Sequence, residues 1–273
     1  MTNFQIQVFD EIKGIGAASG LIYLNENLYL ISDNSHFLYR YDILNKNLYK
    51  FPLIENAEEN IIKKEKPDFE SITLRDNKFY IFGSGSTKKR ETRIKFDIEN
   101  KETSTRDVSD LYEKLKQKAN FTDDDLNIEG SFYFKENLYL LNRGNGQAAK
   151  NGIFTYDKVN KVVDFKPFIL PIINNVTTSF TDAICLENKI YFLACAENSS
   201  NTYDDGEIYG SIIGIIDIAT MQIEQTLQIT DNQKFEGLTL YSKNETEINF
   251  LLCEDNDTED LVSNIYQLKI NLT

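Results

Sequence analysis

The chain has 273 residues, 41% hydrophobic and 26% charged, which suits a packed globular protein and excludes wholesale disorder. Lys and Arg number 29 against 43 Asp and Glu, so a formal charge of −14 speaks against binding to nucleic acid or to an anionic membrane. No apolar run is long enough to span a bilayer.

The first residues, Met1-Thr2-Asn3-Phe4-Gln5-Ile6, show neither a basic nor an apolar leader region, and the expected location is the cytoplasm. Cys185, Cys195 and Cys253 sit in apolar runs and read as small buried thiols. With one histidine in the chain and no Cys/His spacing, a zinc site is not expected.

One pattern recurs five times. Its copies begin Ala18-Ser19-Gly20-Leu21, Phe69-Glu70-Ser71-Ile72, Ile128-Glu129-Gly130-Ser131, Phe180-Thr181-Asp182-Ala183 and Phe235-Glu236-Gly237-Leu238. Each continues through a polar turn, such as Asn25-Glu26-Asn27, into a second β-rich run that carries Tyr29, Tyr80, Tyr139 or Tyr191 in the first four copies. A third run follows, for example Leu38-Tyr39-Arg40-Tyr41-Asp42, and then a fourth. The copies open near residues 19, 70, 129, 181 and 236. Four antiparallel strands repeated at that interval predict an all-β, five-bladed β-propeller as one domain over residues 1–273. The fifth copy stops after its third strand. Phe4-Gln5-Ile6-Gln7-Val8-Phe9 is therefore expected to supply its outer strand and close the ring. A short helix is expected at about 108–118, and the repeated tyrosines are expected to pack between blades.

In such a ring the first strands line the channel, so Ser19, Glu70, Glu129, Thr181 and Glu236 meet near one axis, with Asp182 as a possible further ligand. Three glutamates crowded together repel unless they take up protons or a cation. Oxygen-only ligands suit Ca²⁺, or less well Mg²⁺. The alternative is that each glutamate caps its own blade and water fills the channel.

The order Ser19, Glu70, Glu129, Thr181, Glu236 resembles the soluble calcium-activated nucleotidases, the five-bladed apyrase family whose ligands are Ser, Glu, Glu, Ser and Glu. Thr181 replaces one serine. Asp68-Phe69-Glu70-Ser71 and Phe235-Glu236-Gly237-Leu238 also look like the esterase-like phytase propellers and related bacterial families of unknown function. The resemblance implies a channel Ca²⁺ and, more weakly, phosphoester or phosphoanhydride hydrolysis.

Loops joining second to third strands should surround the mouth above the ring. They are Ser32-Asp33-Asn34-Ser35-His36, residues 83–93, residues 142–150, residues 196–201 and residues 253–257. Candidate catalytic residues there are Arg143, to hold phosphate, with Asp33, Glu197 and Asp255 to position water. The simpler readings are that Arg143 pairs with Asp33 or Glu197, that Lys88 to Arg93 is a solvated tip, and that His36 is incidental. The expectation is a monomer that binds a small anionic ligand or a protein at its top face in a non-catalytic role. A calcium-dependent phosphohydrolase is the alternative, and a glycosidase the weaker one.

Overall fold

The computed structural model describes residues 3–145, 149–198, 206–255 and 261–272. The chain opens with β1 (Phe4–Lys13). The first blade is β2 (Ala18–Leu24), β3 (Asn27–Ser32), β4 (Phe37–Asp42) and β5 (Asn47–Pro52). The second is β6 (Phe69–Arg75), β7 (Lys78–Gly83), β8 (Thr92–Asp97) and β9 (Thr103–Asp107). Helix α1 (Ser109–Ala119) leads into the third, made of β10 (Ile128–Phe134), β11 (Asn137–Asn142), β12 (Gly152–Asp157) and β13 (Val162–Pro167). A small hairpin that the repeats did not foretell, β14 (Ile172–Ile173) with β15 (Val176–Thr177), precedes the fourth. That blade is β16 (Ser179–Leu186), β17 (Lys189–Asn198), β18 (Glu207–Asp217) and β19 (Gln222–Gln228). The fifth is β20 (Lys234–Lys243), β21 (Glu247–Asp255) and β22 (Val262–Asn271), with β1 paired antiparallel to β22 as its outer strand. The fold is the expected five-bladed β-propeller, and its ring is closed by the N-terminal strand.

Local chemistry explains the blade pattern. Asn25 with Glu26, and Asp76 with Asn77, take positive φ in the inner hairpins, as two-residue turns require. Asp42, Asp97, Asp157 and Asp217 each end the third strand of a blade. Each accepts backbone N–H bonds from residues two and three positions on, which folds the outer hairpin back. Five apolar clusters, one per seam between neighbouring blades, make up the core. The repeated tyrosines contribute there as expected: Tyr29 lies 4.7 Å from Phe79, Tyr80 5.6 Å from Tyr133 and Tyr191 5.2 Å from Phe250, centroid to centroid. Cys195 and Cys253 are buried free thiols, whereas Cys185 is only partly buried.

The innermost strands β2, β6, β10, β16 and β20 stand side by side around the axis. Each carries a β-bulge at the same place. Pairing skips Ser19, Glu70, Glu129, Thr181 and Glu236 in turn. A bulge leaves one residue out of the ladder and re-aims its side chain, so each of the five predicted ring residues sits at a bulge, β20 having a second one at Tyr241. Beside them the blades approach closely: a Cβ on Gly130 would lie 2.9 Å from the Asp182 Cα. No helix among the described residues is long and apolar enough to cross a membrane.

Candidate functional site

The charged end of the channel holds a cavity of about 180 Å³. Glu70, Glu129 and Glu236 line it from the inner strands. Asp33 and Arg143, in the loops after second strands, and Asp255, at the end of β21, also line it, at the end of the channel the blade geometry predicts. Lys66, Asp68, Arg90, Asn127 and Lys234 line it as well and were not anticipated. Ser19 and Thr181 are buried beside the ring but are not part of that lining. Ser19 Oγ donates to the Phe69 carbonyl, and Thr181 Oγ1 donates to the Phe235 carbonyl at 2.7 Å, so each hydroxyl ties its blade to the next-numbered one. Asp182 points away from the cavity. Its carboxylate accepts the N–H groups of Ala183 and, from the neighbouring blade, Leu238, both at 2.8 Å. Burial, opposed by those two bonds, pushes its carboxyl well above the usual range.

Two of the three ring glutamates have internal cations. Glu129 receives Asn127 Nδ2 at 2.6 Å and Arg143 Nη1 at 3.3 Å. Glu236 lies 2.8 Å from Lys234 Nζ, which also contacts Asp255 at 2.9 Å. Burial raises both glutamate pKa values, and these cations only partly offset it. Arg143 is shared with Glu197, which also accepts the Gly206 N–H at 2.8 Å, so its pairing with Glu197 holds; its two terminal nitrogens bind carboxylates, while its Nε is buried with no hydrogen-bond partner. Lys66 bridges Asp33 and Asp68, and Arg90 lies 2.8 Å from Asp68. Arg90 is thus buried in the site, contrary to the reading of residues 88–93 as a solvated tip. Burial alone would raise the Asp68 carboxyl, but Lys66, Arg90 and Ser84 hold it below the usual range.

Glu70 differs from the other two. Among the described residues its carboxylate has no ion-pair or hydrogen-bond partner. Burial, then the charges of Asp68, Glu129, Glu236 and Asp33, push its carboxyl well above the usual range. Ligand oxygens of Asp33, Asp68 and Glu70 lie within 4.8 Å of one another. Asp33 Oδ1 is buried with no hydrogen-bond donor.

His36 does not reach the cavity. Its Nδ1 accepts the Glu58 N–H at 3.4 Å, its backbone is pinned to the same segment, and burial lowers its pKa. Of the loop residues expected at the mouth, 146–148, 199–201 and 256–257 lie outside the described residues. The unanticipated Lys66 and Asp68 belong to the connector between the first two blades. It is fastened to the mouth by Ile61 N–H to Asn34 O and Asp68 N–H to Asp33 O, both 2.9 Å. A cation shortly before a ring glutamate, in Lys66-Pro67-Asp68-Phe69-Glu70 and Lys234-Phe235-Glu236, was the available sequence signal.

A model described as "Family of unknown function (DUF6929)" matches residues 14–270. The chain belongs to this family. No curated protein matches the DUF6929 chain. Among solved structures it is similar to a luciferin-regenerating enzyme at 9% identity and TM-score 0.56, covering 97% of this chain and 95% of that one. It is similar also to the glutaminyl cyclase of Myxococcus xanthus at 9% identity and TM-score 0.57, covering 98% and 97%. At such identity these likenesses establish the propeller fold of the DUF6929 chain and nothing about its chemistry.

Proposed function

We propose that this protein is a non-catalytic binding propeller whose channel mouth seats a hard divalent cation, Ca²⁺ in the first instance, on Glu70, Asp33 and Asp68. The carrying observation is the Glu70 carboxylate, the one ring glutamate with no ion pair or hydrogen bond among the described residues, set against two further carboxylates with only the nearby Lys66 ammonium to offset them. The buried, donor-less Asp33 Oδ1 is a second unmet demand in the same cluster. An all-oxygen set of this kind suits Ca²⁺ better than a softer metal.

The proposed site is shifted from the five-fold ring toward the first two blades. Ser19 and Thr181 spend their protons on neighbouring carbonyls, and Glu129 and Glu236 already hold Arg143 and Lys234. Lys66 sits on Asp33 and Asp68, so the ion competes with an internal ammonium. In this reading the ion and the ammonium exchange, linking the cation to the connector that covers the mouth.

A calcium-dependent phosphohydrolase is the second reading, because Arg90, Arg143, Lys66 and Lys234 share the cavity with the carboxylates. It is disfavoured because Arg143, the residue expected to hold phosphate, is buried between Glu129 and Glu197. Calorimetric titration of chelator-stripped protein with Ca²⁺ and with Mg²⁺ tests the proposal. One Ca²⁺ per chain is expected, and it should disappear in Glu70→Gln. Heat-free titration with both ions would overturn it, and Ca²⁺-dependent phosphate release from a nucleotide would favour the second reading.

A further inference from the structure

A second feature lies on the flank, between the second and third blades. Arg93 on β8 and Arg106 on β9 are direct cross-strand partners. Residues so placed project from the same face of the sheet, and like charges directly opposite one another destabilise it. Both arginines line a pocket of about 240 Å³, together with Lys114 of α1, Lys161 of the β12–β13 turn and Tyr156 of β12. Val108 and Leu111 form its apolar part, at the start of the helix that interrupts the repeat.

The charge of this pocket is inverted relative to the chain, which carries −14. Four cations line it against two carboxylates, Asp107 and Asp110. Asp107 is occupied by the first helical turn, where it accepts the Ser109 N–H at 2.8 Å and the Ser109 hydroxyl. Among the described residues, none of Arg93, Arg106, Lys114 and Lys161 makes an ion pair or a side-chain hydrogen bond. Arg93 Nε is buried without an acceptor, its guanidinium 5.4 Å from the Tyr80 ring. Next to it, Lys158 donates to the Tyr133 hydroxyl at 2.8 Å. Burial, then Arg75 and Arg93, push the Lys158 ammonium down to about 8, although Asp76 and Glu136 also face it and act the other way. A cross-strand arginine pair, two free lysines and an unmet guanidinium donor around one concavity constitute a demand for an anion.

We infer that this pocket binds a small, multiply charged phosphate, with Arg93 and Arg106 as the two arms of a clamp and Lys114 and Lys161 closing over it. Guanidinium groups grip phosphate oxygens in a fork, and the surplus of positive charge matches a ligand of two or more negative charges better than a monocarboxylate. The size of the pocket and the acidity of the surrounding surface restrict the ligand to a small molecule instead of a nucleic acid. The site is separate from the channel mouth and stands whether or not the mouth takes up a cation.

Pyrophosphate is the probe. Calorimetric titration at low salt, on protein stripped of metal and then dialysed free of chelator so that no mouth cation contributes, should show one site of submillimolar Kd, with acetate failing to compete. Arg106→Gln, on an exposed outer strand, should weaken binding by about tenfold or more. The same variant should unfold at a higher temperature than the parent without ligand, because the like-charge pair is gone, and should gain less from pyrophosphate. Absence of binding up to about 10 mM would overturn the inference. Binding that Arg106→Gln and Lys161→Gln both leave unchanged would overturn it equally, as would equal affinity for acetate.

Discussion

Replacing Lys234 with methionine tests the charge network of the mouth. Lys234 is 5% exposed. Its ammonium lies 2.8 Å from Glu236, 2.9 Å from Asp255 and 3.7 Å from Glu197. Methionine keeps most of the apolar stem and removes the charge, taking the Lys234 ammonium away from buried Glu236 and from Asp255. Breaking a buried pair in this way costs about 3–5 kcal/mol. At roughly 2–4 °C per kcal/mol for a chain near this size, the melting temperature should fall by on the order of 10 °C. The loss should also depend on pH. Glu236 has a folded-state pKa above its unfolded value, so its contribution is fully present below the unfolded pKa and is lost as pH rises through the folded one. Removing Lys234 pushes that pKa higher still, so the deficit should be larger at pH 8 than at pH 5. Thermal unfolding followed by circular dichroism in EDTA at both pH values measures this. A loss under about 1 kcal/mol, the range of a solvated surface pair, or one equal at both pH values, would show that these carboxylates do not depend on Lys234.

Three further outcomes follow from the same contacts. In Gly237→Ala the new methyl would lie 2.6 Å from Cys253 Sγ and 2.9 Å from the Leu21 backbone nitrogen, so urea unfolding should show a loss of about 1–3 kcal/mol. A loss below about 0.5 kcal/mol would mean the fifth and first blades are not in such close contact. Thr181→Val removes the hydroxyl bond to the Phe235 carbonyl and should cost about 1–2 kcal/mol in the same assay, with an unchanged midpoint contradicting the inter-blade tie. Lys158 should titrate near 8 when its amine is followed by NMR of reductively methylated protein, and a midpoint at its ordinary value of 10.5 would contradict the clustered cations around it.

The blades were legible because the first four repeat the same strand order and turn chemistry, down to the aspartates that end their third strands, and the fifth keeps the same three inner strands. The closing strand was legible because the fifth copy lacks one. The ring residues were legible as in-phase oxygens, but the bulges that aim them are a property of strand pairing that periodicity does not reveal. The cations were the hidden part. Lys66 and Lys234 come just before first strands, in connectors whose path is set by tertiary contacts, and Arg90 lies in a run of charges that resembles a solvated loop. Asp182, adjacent in sequence to a ring position, is taken up by the N–H groups of Ala183 and Leu238, a contact with the neighbouring blade that the repeat does not reveal.

The most direct test of the mouth as a cation site is thermal unfolding of chelator-stripped protein with and without millimolar Ca²⁺. A ligand of the native state stabilises it by mass action. The proposal predicts a Ca²⁺-specific rise in melting temperature that is absent from Glu70→Gln. Equal melting temperatures with and without Ca²⁺, in protein shown by elemental analysis to be metal-free, would contradict it.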